Sequence, residues 1–308
     1  MTVRILALTA VLVLAVALVC APIQLPQVRA QAQPAVPEVQ LVFTTVDCPG
    51  KQVTIVYGIN SVGDMTGNCA DSLYDPSSGF VYRNGDFTLF DYPGADTDTT
   101  GFGINDSGLI SGWGVRQAAA AVGFLYDGTN FKAIRAPGAS ATFARGINNA
   151  GVVVGAQGSF GAVRGFALIG SLFRKVSPPG SYLDTFADGI NNLNQIVGTA
   201  DEGGFYYGKG VYKTIAFPGA SQTWPVGIND DGIVVGWYTT DGCVDCGFAY
   251  RKGKFVSLRY PGALATFTAG INNQGQIVGT YQVDSSTLHG FVTSPITAAD
   301  FPVSADND

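Results

Sequence analysis

The chain has 308 residues, 46% of them hydrophobic and only 13% charged, enough to bury a substantial core and too apolar for a disordered chain. Lys and Arg number 17 against 23 Asp and Glu, an acidic balance that argues against a surface built to follow nucleic acid. With 41 glycines, one histidine, 19 Phe and 13 Tyr, the composition suits many short strands joined by tight turns, so the expected class is all-β.

From the N-terminus, Arg4 precedes the apolar stretch ILALTAVLVLAVALVCA, and VRAQAQP follows, with Ala30 or Ala32 as the small residue that a leader peptidase requires. Residues 1–30 read as an export signal, with a retained membrane anchor as the competing reading, because an apolar stretch of about seventeen residues is marginal for spanning a bilayer. The residues before Cys20 lack the small side chain expected ahead of a lipid-modified cysteine. Residues 31–40 are read as a linker. Without Arg4 and Arg29, 15 basic residues face 23 acidic ones and the exported part carries a formal charge of −8. It is expected outside the cytoplasm, whether secreted, periplasmic or on the cell surface, and with no membrane association once the signal is removed. It keeps Cys48, Cys69, Cys243 and Cys246 where disulfides persist.

From residue 41 to residue 294 the chain repeats. The tripeptide GIN places its glycine at Gly58, Gly103, Gly146, Gly189, Gly227 and Gly270, with spacings of 45, 43, 43, 38 and 43. Those glycines define units one to six. GF recurs at Gly79, Gly123, Gly165, Gly204, Gly247 and Gly290, and PG at Pro49, Pro93, Pro137, Pro179, Pro218 and Pro261. A period near forty residues with several strands per unit is that of radial β-sheet repeats, and the apolar spacing of helical solenoids is absent. In each unit, strand A ends in GI, as in TFARGI (Thr142 to Ile147), and strand B follows, as in VVVGA (Val152 to Ala156). The intervening N-x-x-G suits a type I turn with a left-handed residue at its end, and Asn194 stands in for that glycine in unit four. Strand C begins at GF, and strand D opens on an aromatic residue six positions before each PG proline: Phe43, Phe87, Phe131, Phe173, Tyr212 and Phe255. Phe43 belongs to a strand D with no A, B or C before it, whereas the last unit has A, B and C and then loses the pattern. The two ends are therefore expected to complete one blade of a six-bladed β-propeller with four-stranded antiparallel blades, closed by the N-terminal strand. Residues 295–308 are left as a C-terminal tail.

The pattern GIN-x-x-G-x-(I/V)-V-G, then (H)GF, then PGA with a following Thr, resembles the bacterial extracellular repeats called the HAF family. Only unit six has the histidine, His289; Ser78, Val122, Arg164, Gly203 and Cys246 stand there in the others. The resemblance implies export and repetition, and it brings no catalytic residue to carry over.

The topology should collect the variable B-to-C and D-to-A connections on one face, the candidate functional surface, and the constant A-to-B turns on the other. The B-to-C segments offer Tyr74, Trp113, Phe160, Trp237, Tyr238 and Tyr281 as aromatic platforms for a neutral glycan or a peptide, although Trp113 and Trp237 directly follow the strand B glycine and also suit lids over blade packing. Before each GIN glycine stand Tyr57, Phe102, Arg145, Asp188, Val226 and Ala269, close to the axis if strand A is innermost. Arg145 and Asp188 fall in adjacent units and suit an ion pair or a polar ligand site. His289 occupies a repeat landmark, so a structural hydrogen bond is preferred to a place in a hydrolytic triad. Carboxylates for glycoside hydrolysis could come from Asp71, Asp75, Asp201, Glu202, Asp241 and Asp245, but no spacing singles out a pair. DTDTTG (Asp96 to Gly101) lacks the further acids of a calcium loop, and CVDC (Cys243 to Cys246) lacks a second cysteine pair for zinc. A local Cys243–Cys246 disulfide and a Cys48–Cys69 bridge stapling the closure are expected, with no metal and no cofactor. The leading function is an exported, monomeric, non-enzymatic scaffold that binds a glycan, cell-wall material or a protein through the loop face. The alternative is a hydrolase or lyase acting on carbohydrate.

Overall fold

Short apolar runs that alternate in and out, separated by turns needing a left-handed residue, leave the chain no option but small antiparallel sheets. The computed structural model describes residues 36–116, 121–159, 162–181, 184–201 and 203–302. The expected export signal, the first half of the linker, Phe160, Glu202 and the end of the tail lie outside the described residues.

The fold is an all-β propeller with four-stranded antiparallel blades. Strand β1 (Phe43–Val46) precedes unit one, which holds β2 (Val53–Ile59), β3 (Met65–Ala70), β4 (Ser78–Arg83) and β5 (Asp86–Phe90). Unit two holds β6 (Asp98–Ile104), β7 (Ile110–Val115), β8 (Val122–Tyr126) and β9 (Phe131–Ile134), and unit three β10 (Ala141–Ile147), β11 (Val153–Ser159), β12 (Ala162–Ile169) and β13 (Leu172–Val176). Unit four holds β14 (Phe186–Ile190), β15 (Ile196–Ala200), β16 (Gly203–Gly208) and β17 (Val211–Ile215). Unit five holds β18 (Gln222–Ile228), β19 (Val234–Thr240), β20 (Cys243–Arg251) and β21 (Lys254–Leu258), and unit six β22 (Ala265–Ile271), β23 (Ile277–Gln282) and β24 (Leu288–Thr293). Units two to five each form a separate four-stranded sheet in chain order, whereas β22, β23 and β24 share one eight-stranded sheet with β1 and with β2 to β5. The repeat count predicts six separate sheets. The difference comes from one parallel contact, Val53 with Leu288, beside the Leu288 N–H donating to the Gln52 carbonyl at 3.1 Å.

β1 pairs antiparallel with β24, Phe43 opposite Thr293 through Val46 opposite Gly290, so the N-terminal strand completes the last unit. The packing explains why strand D must open on an aromatic. Each GF phenylalanine (Phe80, Phe124, Phe166, Phe205, Phe248 and Phe291) is buried to 3% exposure or less and meets the strand D ring at an angle. For Phe291 that ring is Phe43, 5.2 Å away, brought from the other end of the chain. Burying such a side chain contributes about 1.5–3 kcal/mol, which gives each blade its own anchor.

The D-to-A crossover carries a second recurrent device. The threonine early in strand A accepts a hydrogen bond from the backbone N–H of the residue before the PG proline: Cys48 to Thr54, Tyr92 to Thr99, Ala136 to Thr142, Phe217 to Thr223 and Tyr260 to Thr266, each at 2.9–3.0 Å. In unit four the donor position is Pro178, which has no N–H, and the buried Thr185 hydroxyl has no partner among the described residues. The ends of the described chain are also built in. Val39 N–H donates to the Ser257 carbonyl at 3.1 Å beside β21, and Ile296 and Phe301 join the core of units five and six, so the expected linker and tail both touch the propeller.

Candidate functional site at the axial channel

Strand A lies innermost, and its close approach to the next unit demands the GIN glycine. A Cβ on Gly58 would stand 2.6 Å from the Phe102 carbonyl of unit two, and one on Gly270 would stand 2.6 Å from the Tyr57 carbonyl of unit one. The asparagine that follows does two jobs. Its Oδ1 accepts turn N–H groups, as Asn148 does from Ala150 at 3.1 Å and Val152 at 3.0 Å, while the turn closes with Gly151 at φ 74° and, in unit four, Asn194 at φ 57°. Its Nδ2 donates to the matching asparagine carbonyl of the next unit: Asn60 to Asn105, Asn105 to Asn148, Asn148 to Asn191, Asn191 to Asn229, Asn229 to Asn272, and Asn272 back to Asn60, at 2.9–3.3 Å. This closed ring surrounds a small hollow of about 60 Å³ at the turn-face end of the channel, lined by amide groups already committed to one another. A second series of bonds runs outside it, in which Asp106, Asn149, Asn192, Asp230 and Asn273 each accept a backbone N–H from the preceding unit, Ser61 donating to Asp106 at 2.7 Å. Burial is the largest single influence on the Asp106 carboxyl and acts upward, but the bonds from Ser61 and Asn149 together outweigh it and hold the group below its ordinary value.

Above the ring the channel holds a cavity of about 100 Å³ beside Tyr57, Phe102, Asp188, Val226 and Ala269. Arg145 and Asp188 form an ion pair there. Burial pushes the Asp188 carboxyl above the usual range, with the Arg145 charge acting the other way, and it raises the Tyr57 phenol likewise. The guanidinium sits between aromatic faces, 4.8 Å from the Phe186 ring, 5.3 Å from Phe102 and 5.7 Å from Trp113. Toward the loop face the aromatic lining continues. Tyr57 stacks on Phe102 at 4.8 Å, Phe102 meets Trp113, and Trp113 meets Phe143 edge-on at 5.8 Å. Trp224 stacks on Trp237 at 3.7 Å, and Trp237 meets Phe267 at 5.4 Å. The alternation of strand A, buried at every second position and half-exposed between, turns these side chains toward the opening.

Of the sequence-predicted binding residues, Trp113, Arg145 and Asp188 gather in one cluster and Trp237 joins Trp224 and Phe267 in another, whereas Tyr74 is 91% exposed on the first B-to-C loop. Tyr238 and Tyr281 are not surface platforms. They are buried, stacked at 3.5 Å on Phe217 and Tyr260, with their hydroxyls bonded to Ser257 at 2.9 Å and Thr45 at 3.0 Å. Strand B runs past its glycine to Thr240 in unit five and Gln282 in unit six, so alternation turns the second residue after that glycine inward. Burial pushes the Tyr281 phenol up to about 12. The Cys48–Cys69 disulfide occupies the same two repeat positions as the Phe217–Tyr238 and Tyr260–Tyr281 stacks. Cys243 and Cys246 are bonded within their own strand.

Several of the remaining candidates have structural partners. His289 Nδ1 lies 2.8 Å from Asp47 Oδ2 and tilts over Tyr281, and the Gly290 N–H donates to the same carboxylate at 3.2 Å, tying β24 to the end of β1. Asp98 of DTDTTG accepts from the Ser77 hydroxyl at 2.8 Å. Asp71 pairs with Lys51 at 2.9 Å, Asp75 accepts from Ser72 at 2.7 Å, and Asp245 accepts from Thr239 at 3.3 Å. The amide ring and the crossover threonine escaped sequence reasoning, although GIN and the threonine after PG recur in every unit and carried the signal.

No protein-family model matches the chain, and no curated protein matches it. Among solved structures it is similar to a protein of unknown function from Dyadobacter fermentans, at 9% identity and a TM-score of 0.50, over 85% of this chain and 97% of that one. It is also similar to a gluconolactonase from Xanthomonas campestris (12% identity, TM-score 0.47, covering 86% of this chain and 99% of that one). A third is the Aleuria aurantia lectin (11% identity, TM-score 0.47, covering 80% and 97%). At these identities the likeness extends to the fold alone. Among the described residues no helix is long and apolar enough to cross a membrane.

Proposed function

We propose that this chain is an exported six-bladed propeller of HAF-repeat type that acts as a non-enzymatic binding scaffold, recognising a glycan, cell-wall material or a protein through its loop face. Counting the eight-stranded sheet as two blades is supported by the single residue pair that joins its halves and by the asparagine ring, which takes one member from each of six units before it closes. The disulfides are compatible with an oxidising compartment.

One observation carries the reading. The two ends of the channel differ in chemistry, the turn end bound up in a hydrogen-bonded ring and the loop end lined by half-exposed aromatic side chains that a rigid frame holds in place. Aromatic faces fixed in advance bind at little entropic cost and suit partners with an apolar face and a polar rim. The test is a pull-down on polysaccharides, isolated cell wall and envelope proteins, comparing the wild-type protein with Tyr74→Ala and Trp113→Ala. Loss of a selective partner in either variant at unchanged melting temperature supports the reading. Retention of every partner in both would sink it.

A further inference from the structure

The side chain just after the strand B glycine faces strand A of the next unit, so the same gap is filled afresh around the propeller. Between units two and three Trp113 fills it, 5.8 Å from Phe143, and between units five and six Trp237 fills it, 5.4 Å from Phe267. Between units three and four the residue is only Ala156, but the Arg145 guanidinium covers the Phe186 ring at 4.8 Å. Between units four and five the residue is Thr199, and the Trp224 ring, stacked on Trp237 by one face, borders a cleft with it. The cleft has a volume of about 260 Å³ and is lined by Thr199, Asp201, Ser221, Gln222, Thr223 and Trp224.

We infer that this cleft is a seat for one ring of an uncharged saccharide, with the Trp224 indole as its floor and Asp201 and Gln222 at its rim. The inference rests on the loop-face reading above and names the ligand class and the place. The indole is held before any ligand arrives, because its other face stacks on Trp237 at 3.7 Å and 19°. A pyranose offers what this surface lacks, a flat patch of C–H groups for the indole and hydroxyls around its edge for a carboxylate and an amide.

The decisive variant is Thr199→Trp, which fills the cleft with the side chain that units two and five already carry at this position. Asp201→Asn with Gln222→Ala is the second, altering the rim alone. Saturation-transfer NMR and titration calorimetry would use methyl glycosides of glucose, galactose, mannose and N-acetylglucosamine, together with cellobiose and chitobiose, and urea unfolding would confirm that each variant folds. The expected result is binding by the wild type, weakened about tenfold or more by Thr199→Trp and severalfold by the rim variant. Saccharide binding that survives Thr199→Trp overturns the cleft while leaving the loop-face reading intact. No binding of any of these sugars by the wild type overturns the saccharide inference, and the loop-face reading is then decided separately by the pull-down with Tyr74→Ala and Trp113→Ala, both outside the cleft.

Discussion

Replacing the crossover threonine by valine should have opposite consequences in units three and four. In unit three, Thr142→Val removes the acceptor that the Ala136 N–H reaches at 3.0 Å, and both residues are buried, at 3% and 4% exposure. A buried N–H stripped of its acceptor costs about 1–3 kcal/mol, so the variant should lose that much stability. In unit four, Thr185→Val removes a hydroxyl that has no partner among the described residues, because Pro178 offers no N–H. Nothing is stranded, and a methyl group replaces an unsatisfied buried polar atom, so the change should be neutral or gain up to about 1 kcal/mol. Urea unfolding of the two variants beside wild type, read as the midpoint at constant slope, measures the difference. Equal destabilisation by both variants, or silence from Thr142→Val, would refute the account of the crossover.

Two further outcomes follow from the closure and from the last loop. The Cys48–Cys69 bridge spans 21 residues, so Cys48→Ser with Cys69→Ser should cost about 3 kcal/mol in urea unfolding. Because the same two positions hold a phenylalanine and a tyrosine in unit five, Cys48→Phe with Cys69→Tyr should recover part of that loss. In unit six, Asp284 accepts the Ser286 and Thr287 N–H groups, each at 2.8 Å, and its carboxyl is pushed down to about 2 from an ordinary 3.8. A depressed carboxyl stabilises the folded loop above its unfolded value and loses that contribution as pH falls. The loop should therefore keep its structure above about pH 4 and loosen between there and pH 2, and carboxyl NMR titration should show a midpoint for Asp284 below that of an unstructured aspartate.

Much of the fold was legible because it repeats. GIN, GF and PG each fixed one landmark per unit, and Asn194 in place of a glycine was readable as a left-handed turn residue, which its φ of 57° matches. The closure was legible from Phe43, an aromatic strand opener with no unit of its own, now packed on Phe291. Both disulfide pairings followed from where the cysteines fell in the pattern. The misreading of Tyr238 and Tyr281 has a plain cause. Sequence marks where strand B begins but not how far it continues, and a strand two residues longer moves a tyrosine from a loop into the core.

By itself the sequence determined the unit, because turn chemistry and alternation act over a few residues and need no knowledge of neighbours. Only the tertiary structure decided what happens between units. The amide ring joins asparagines up to 212 positions apart, Pro178 silences a threonine seven residues away, and Thr199 leaves open a gap that tryptophans close elsewhere. Those outcomes depend on which side chain of one unit meets which of the next, a pairing set by radial packing that no single repeat contains.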